Sequence, residues 1–253
     1  MGTVFVVGMG PGKIDMMTGE ALEAIKNSDI VVGYTLYVEL LKSEMAKIGL
    51  SDKIYESTPM KKEIERCRLC LKLASEGKKV ALICSGDAGV YGMASPILEL
   101  LPEYPGNEIV VIPGITAANS GAAVLGAPLN HDYCVISLSD LLTPWEKIEK
   151  RLIAAIEGDF AIAIYNPSSM KRADYLKKAC DIMLAAGASK DRACGYIENI
   201  GREDTKAYTC TLAELRETQV NMFTTVFIGN SQSIIRDNRI ITKRGYISEA
   251  DRQ

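Results

Sequence analysis

Glycine, aspartate and tyrosine crowd into Ser85-Gly86-Asp87-Ala88-Gly89-Val90-Tyr91-Gly92, directly after the apolar run Val80-Ala-Leu-Ile-Cys84, and Pro113-Gly-Ile-Thr-Ala117 answers that cluster downstream. An apolar run that stops at a Gly/Asp cluster reads as a buried parallel strand ending in a loop, and such loops are where open α/β sheets bind ligands. Glycine lets backbone amides and carbonyls approach a ligand closely, and Asp87 adds a carboxylate that accepts hydrogen bonds or opposes a cation. The chemistry suggested is the seating of a small cofactor. A second glycine turn, Gly8-Met-Gly-Pro-Gly12, follows the N-terminal apolar run but fits neither common nucleotide motif. Pro11 removes an amide where a dinucleotide fingerprint needs a donor, the third glycine is misplaced, and Val32-Gly33-Tyr34 offers no carboxylate for a ribose. Lys13 is followed by Ile14 and Asp15, which excludes a P-loop.

His131 is the only histidine, and it stands beside Asp132, a carboxylate able to orient its ring. Imidazole titrates near neutral pH and so suits proton transfer, with a structural histidine as the alternative. Asp87 and Asp140 are rival acid–base candidates, and Ser139 and Thr143 are candidate hydrogen-bond donors. The seven cysteines are scattered and odd in number, which argues against a disulfide framework. Cys67 and Cys70 form a C-x-x-C pair, but they lie in a helical apolar stripe running Met60, Ile64, Cys67, Leu71, Ala74, where cysteine acts as a small hydrophobe. No second Cys/His pair stands at zinc spacing, so no protein-bound metal is expected.

The elements that must hold these loops alternate between strand and helix. Residues 3–7 form an apolar strand, Thr18 caps a helix through Ser28, and residues 29–33 form a second strand. Residues 36–48 and 63–75 have helical spacing, 79–84 and 109–112 read as strands, and a helix over 95–101 stops before Pro102. This is the pattern of a parallel sheet covered by helices. The character changes at Ala117, where a helix-like stretch of small residues to Leu125 gives way to Gly126-Ala-Pro-Leu-Asn-His131. We therefore expect an N-terminal domain over 1–116, a C-terminal domain over 117–246 and a frayed tail over 247–253. In the second domain, strands at 134–137, 160–165 and 193–198 alternate with helices at 145–156 and 172–186. The β-branched runs 206–211 and 224–228 then add antiparallel character, which predicts a mixed sheet.

Composition sets outer bounds. With 253 residues, 47% of them hydrophobic, the chain can bury a sizeable core, and a formal charge of −3 points to neither a nucleic-acid nor a membrane surface. No apolar segment approaches the length of a membrane span, and neither a basic leader nor a cleavage pattern precedes Val4. A cytoplasmic location is the expectation.

Together the motifs carry more weight than any one of them. Gly8-Met-Gly-Pro-Gly12, Gly33-Tyr-Thr-Leu-Tyr37, Ser85 to Met93, Pro113-Gly-Ile-Thr-Ala117, His131-Asp132, Ile136 to Trp145, Tyr165-Asn-Pro167 and Phe227-Ile-Gly-Asn-Ser231 occur in the order seen in the tetrapyrrole methylases. The chain resembles that family from about Thr3 to Tyr246. Within it the chain is most similar to the branch of cobalamin biosynthesis that methylates carbon 17 of precorrin-3B or cobalt-factor III, with the segment Ser137 to Trp145 the most branch-specific. Ala88 stands where most of the wider family has Pro, a form expected of this branch.

The resemblance implies a two-domain α/β protein, usually a homodimer, that binds S-adenosylmethionine between its domains with the macrocycle in an adjoining trough. It implies cofactor contacts from Gly86, Asp87, Val90, Thr116, Ala117, Tyr165 and Asn166, and a trough-facing turn at Gly10, Pro11 and Gly12. The implied reaction is methylation at carbon 17 with ring contraction to precorrin-4 or cobalt-precorrin-4, releasing S-adenosylhomocysteine. Its proton movements require a positioned acid or base, for which His131, Asp132, Asp87 and Asp140 are the candidates. The polycarboxylate substrate calls for cations. Arg172, Arg202, Arg236 and Lys243-Arg244 sit beside motif loops, with Ser139 and Thr143 as further contacts. Four alternatives remain: a precorrin methylase acting on another ring carbon, a diphthamide-pathway methylase of the same fold, a nucleotide-binding oxidoreductase, and a catalytically silent binding protein. Binding of adenosylhomocysteine against NAD separates the third from the others.

Overall fold

The computed structural model describes residues 2–169 and 172–246, so the expected tail lies outside the described residues. By its internal contacts the chain divides into two compact units, Met1–Ala117 and Ala118–Gln253.

In the first unit, strands β1 (Thr3–Gly8), β2 (Ile30–Tyr34), β3 (Ile54–Thr58), β4 (Lys79–Cys84) and β5 (Glu108–Ile112) form one sheet. Their order is β3-β2-β4-β1-β5, and every neighbouring pair is parallel. Helices α1 (Gly19–Asn27), α2 (Thr35–Lys47), α3 (Glu63–Ser75) and α4 (Ala94–Leu100) cover both faces. The alternation along β1 shows how: Val4 and Val6 pack with Cys67, Leu71 and Ile97, whereas Val7 packs with Ile25, Leu41 and Met45. Thr18 caps α1, its side chain accepting from the Ala21 N–H at 3.0 Å, as its position before the apolar spacing predicts. β3 has no counterpart in the sequence pattern because it is an edge strand with no fully buried position, and its polar make-up leaves no apolar run to detect. The apolar stripe of α3 holds at Cys67, Leu71 and Ala74 but is shorter than expected. Arg66, Cys67, Cys70, Leu71 and Ala74 are buried, while Met60 and Ile64 are exposed. Burial pushes the Cys67 thiol up to about 11 and the Cys84 thiol up to about 12, so both serve as packing groups rather than nucleophiles.

Glu44 on α2 is a buried carboxylate that accepts from the Ile14 N–H at 3.0 Å and pairs with Lys47, tying the segment after Gly12 to the helix. Burial by itself raises its pKa. The bonds from Lys47 and Ile14 and the charges of Lys47 and Lys13 outweigh burial and hold the carboxyl below its usual range. A depressed folded pKa gives stability that is present above the unfolded value and lost as pH falls through the folded one. Glu44→Gln should therefore cost roughly 1–3 kcal/mol at pH 7, and the gap to wild type should close on acidification below the ordinary carboxylate range. Denaturant melts of both proteins across pH 7 to 3 measure this, and a gap that widens in acid would refute it.

The second unit opens with α5 (Ala117–Leu125), whose first residue is the last of the first unit, and continues with β6 (Gly126–Ala127) and β7 (Tyr133–Ser137). Then come α6 (Trp145–Glu157), β8 (Ala161–Tyr165), α7 (Tyr175–Ala185), β9 (Ala193–Glu198), β10 (Lys206–Thr211), α8 (Leu212–Glu217) and β11 (Thr224–Ile228). The main sheet runs β10-β9-β11-β8-β7. β7 and β8 pair in parallel and the other neighbours antiparallel, the mixed sheet expected from the sequence. Thr211 and Glu214 close α8 with a capping box. β12 (Ser233–Arg236) and β13 (Arg239–Thr242) form a hairpin whose two turn residues, Asp237 and Asn238, have φ of 50° and 56°. That turn suits the twist of a two-residue hairpin, and Asp-Asn between paired isoleucines was the signal available in the sequence. β6 adds to β13 in parallel. No helix among the described residues is long and apolar enough to cross a membrane.

Candidate functional site

The chain leaves β1 towards β2 on one side and leaves β4 towards β5 on the other, so the topological switch point lies between the adjacent strands β1 and β4. Both glycine turns emerge there. Gly10 and Gly86 bridge, the Gly86 N–H donating to the Gly10 carbonyl at 2.8 Å and the Gly10 N–H to the Gly86 carbonyl at 3.0 Å. Gly8, Gly86 and Gly114 come together without room for side chains. A Cβ on Gly114 would stand 2.2 Å from the Gly86 carbonyl oxygen and 2.5 Å from that of Gly8. Gly86 itself has φ +71°, and a Cβ there would stand 3.8 Å from Thr116 and Ala117. Thus the structure brings Gly86, Thr116 and Ala117 together.

Asp87 braces this arrangement. Its Oδ1 accepts from the Gly89 N–H at 2.8 Å and the Val90 N–H at 3.0 Å, while Oδ2 accepts from the Gly114 N–H at 2.9 Å. Both oxygens are engaged by amides, so the carboxylate fixes loop shape and joins the loop after β4 to the exit of β5. Val90 is held through its N–H and keeps an exposed side chain. Gly10, Pro11 and Gly12 are buried, with Gly12 facing Leu40 and Gly10 the Met16 carbonyl. The turn expected to face substrate is thus first a packing element.

In the second unit, the candidates gather at the carboxyl ends of β7 and β8. The Tyr165 hydroxyl accepts from the Ala118 N–H at 2.8 Å, in the first turn of α5. Asn166, at φ 52°, donates through Nδ2 to Ser137 Oγ at 2.9 Å, and the Ser139 N–H donates to the same hydroxyl at 3.2 Å. Ser137 is the hub that sequence reasoning missed as a site residue, although it ends a strand inside the branch-specific segment. Beyond it, Arg172 donates to Ser139 Oγ at 3.1 Å and pairs with Asp140 Oδ1 at 3.3 Å, and the Tyr175 hydroxyl donates to Asp140 Oδ2 at 2.6 Å. The bond to Asp140 leads the effects that raise the Tyr175 pKa, so its proton stays on the phenol. Trp145 packs against Tyr175 with ring centroids 4.6 Å apart, and Thr143 lies half-buried in the same loop.

β9 runs in the direction of β8, since β11 lies antiparallel to both. The turn after β9 is therefore on the same sheet edge, and there Arg202 bonds to Asn199 and stacks 4.9 Å from the Phe223 ring. Arg236 ends β12 beside the hairpin turn, and Lys243-Arg244 follow β13, with the Lys243 carbonyl against His131.

The structure places His131 and Asp132 apart from Ser137 and Tyr165. They precede β7, whereas Ser137 and Tyr165 end their strands, and at 3.3 Å per residue roughly 13 Å of strand separates Tyr133 from Ser137. His131 Nε2 meets the Lys243 carbonyl at 3.1 Å, and among the described residues no hydrogen bond joins its ring to Asp132. Asn130 reaches the Thr242 carbonyl and the Thr242 hydroxyl donates to the Pro128 carbonyl, so residues 128–131 are pinned to the end of the hairpin. His131 is one of those pins. His131→Asn should lower stability by about 1 kcal/mol or less, as befits an exposed bond, and leave turnover per folded molecule near wild type. Melting curves with single-turnover assays decide this, and a loss of about 10²-fold in turnover without unfolding would restore the proton-transfer role.

Residues 3–216 match the family described as Tetrapyrrole (Corrin/Porphyrin) Methylases. A Salmonella typhimurium protein named a probable cobalt-factor III C(17)-methyltransferase is 46% identical over 242 residues, which cover 95% of this chain and 98% of that protein. The crystal structure of the methyltransferase CobJ matches with a TM-score of 0.86 at 35% identity, over 96% of this chain and 100% of that one. A uroporphyrin-III C-methyl transferase from Thermus thermophilus, solved with S-adenyl homocysteine, shares the fold at a TM-score of 0.70 and 19% identity, over 90% of this chain and 97% of that one. With glycine turns braced at a switch point and a family match over residues 3–216, the chain belongs to the tetrapyrrole methylases.

Proposed function

We propose that the protein is an S-adenosylmethionine-dependent C-methyltransferase of cobalamin biosynthesis that methylates carbon 17 of cobalt-factor III or precorrin-3B, with contraction of the ring. The observation that carries this reading is the 46% identity, over 95% of the chain, with a protein named for that reaction. The local chemistry fits the cofactor. Gly86 leaves an open cradle with no side chain, Asp87 orders the backbone around it with both oxygens engaged by amides, and Val90 adds an exposed apolar surface. Such a site suits a neutral adenosyl group read by backbone donors and acceptors.

When bound, the cofactor supplies a methyl group on a sulfonium, and methyl transfer to carbon is an in-line displacement. The protein's part is to fix the geometry and exclude water. Gly8, Gly86 and Gly114 let the strand ends close up, and Tyr165 with Asn166 and Ser137 fixes the end of β8. For the proton movements of ring contraction we retain Asp140, which is 32% exposed and joined to Tyr175 and Arg172. Arg172 then serves to orient Asp140, and Arg202 is the candidate for a substrate carboxylate. We also place the protein in the cytoplasm as a homodimer acting on a small polycarboxylate, which sedimentation analysis tests. The deciding assay supplies metal-free precorrin-3B and cobalt-factor III separately with S-adenosylmethionine and follows product mass and absorbance. Methylation of neither, or at another carbon, would overturn the assignment.

A further inference from the structure

Arg66 on α3 is 3% exposed, a nearly complete burial for a guanidinium. Its Nε donates to Thr58 Oγ1 at 2.8 Å, its Nη2 to the Pro59 carbonyl at 3.2 Å, and its Nη1 lies 3.7 Å from the Met93 sulfur. All three partners are neutral. Among the described residues no carboxylate pairs with Arg66, since Glu65 is engaged by Lys62 and Glu103 by Arg68. Asp87 turns the other way, to Gly114 beyond β5, whereas Thr58 ends β3 at the opposite side of the sheet. The surrounding thiols supply no negative charge either: burial raises Cys67, Cys70 and Cys84 well above their ordinary values. Glu63 and Asp87 act on the same thiols as Arg66 without touching the guanidinium; a desolvated cation with no carboxylate in contact is costly, and hydrogen bonds to neutral groups offset only part of that cost.

The place is informative. Thr58 marks the carboxyl edge of the sheet, and Met93 closes the loop that Gly86 opens, so Arg66 lies beneath the candidate cofactor loop. We propose that Arg66 is a positioning residue for the substrate, its uncompensated charge being balanced by a carboxylate of the tetrapyrrole as it docks over the loop from Ser85 to Met93. The proposal rests on the functional reading above for the substrate class. Because the guanidinium is walled from water, its field is weakly screened and acts across the loop without direct contact.

The test titrates uroporphyrin III, a fluorescent octacarboxylate of the substrate class, into the wild type and Arg66→Lys, Arg66→Gln and Arg66→Met, with adenosylhomocysteine affinity and melting temperature measured in parallel. Lysine keeps the charge and loses the fork; glutamine keeps donors towards Thr58 and Pro59 and loses the charge. We expect Arg66→Lys to bind the porphyrin within about 3-fold of wild type and both uncharged variants at least about 10-fold more weakly, with adenosylhomocysteine affinity unchanged and porphyrin binding falling with added salt. A merely structural arginine predicts that Lys, Gln and Met behave alike, or that cofactor and porphyrin affinities fall together. Either result, or a wild type that does not bind the porphyrin, overturns the proposal. A wild type that methylates neither precorrin-3B nor cobalt-factor III, yet binds the porphyrin in the charge-dependent way, would sink the carbon-17 reading and leave the role of Arg66 standing.

Discussion

Gly114→Ala is expected to abolish measurable adenosylhomocysteine binding and to destabilise the protein by about 3 kcal/mol, the upper end of what overpacking usually costs. The added carbon would stand 2.2 Å from the Gly86 carbonyl oxygen and 2.5 Å from the Gly8 carbonyl oxygen. Both obstacles are backbone at the ends of central strands, so no flexible side chain can give way, and relief requires β5 to move from β1 or the loop after β4 to lift. Either movement breaks the Asp87 bond to the Gly114 N–H. Gly86→Ala provides the contrast. Its new carbon meets nothing nearer than 3.8 Å, and its cost is the strain of a side chain at φ +71°, about 1–2 kcal/mol. Calorimetric titration and melting curves on both variants test this ordering. A Gly114→Ala protein with wild-type stability and affinity would show that the strand ends are not clamped as described.

The parts of the fold that sequence made legible are those in which burial is continuous or strictly periodic. β4 and α3 fall where the apolar patterns place them, because a central parallel strand is apolar along most of its length and a covering helix repeats its buried positions. β3 stayed hidden for the opposite reason: at the sheet edge none of its residues is fully buried, so no apolar run marks it. The stripe of α3 holds at Cys67, Leu71 and Ala74 and ends short of expectation: Met60 precedes the helix, Ile64 in its first turn is exposed, and Arg66 is buried. At the candidate site, residue type marks location but not bonding. The Gly/Asp cluster after β4 lies at the switch point, but nothing in the sequence reveals that three amides occupy the Asp87 oxygens. His131 drew attention by its uniqueness, while its position before β7 rather than after it decides its surroundings, and that depends on pairing with a hairpin over a hundred residues away. Ser137 and Tyr175 carry bonds between segments distant in sequence, and such pairings leave no local signature.

Asp87→Asn should weaken adenosylhomocysteine binding at least about tenfold and lower stability by about 1.5–3 kcal/mol, the range for a charge-assisted hydrogen bond. The substituted amide has one oxygen and one NH₂ where the carboxylate has two acceptors. If the oxygen stays with the Gly89 and Val90 N–H groups, the NH₂ faces the Gly114 N–H, donor against donor, and the tie between the loop after β4 and the exit of β5 is lost. If the amide flips, the loop loses the two bonds that give it its turn. The Gly114 bond is partly buried, and water replaces it less well than the two exposed ones, so the first orientation carries the larger penalty at the switch point. An acid–base role for Asp87 predicts a different pattern: the neutral amide would leave cofactor affinity and melting temperature nearly intact and remove about 10² or more from turnover. Calorimetry with adenosylhomocysteine beside single-turnover methylation separates the two. Undiminished affinity with collapsed chemistry would return Asp87 to the proton-transfer step, and joint loss of affinity and stability would establish its carboxylate as the brace that keeps the glycine turns in place.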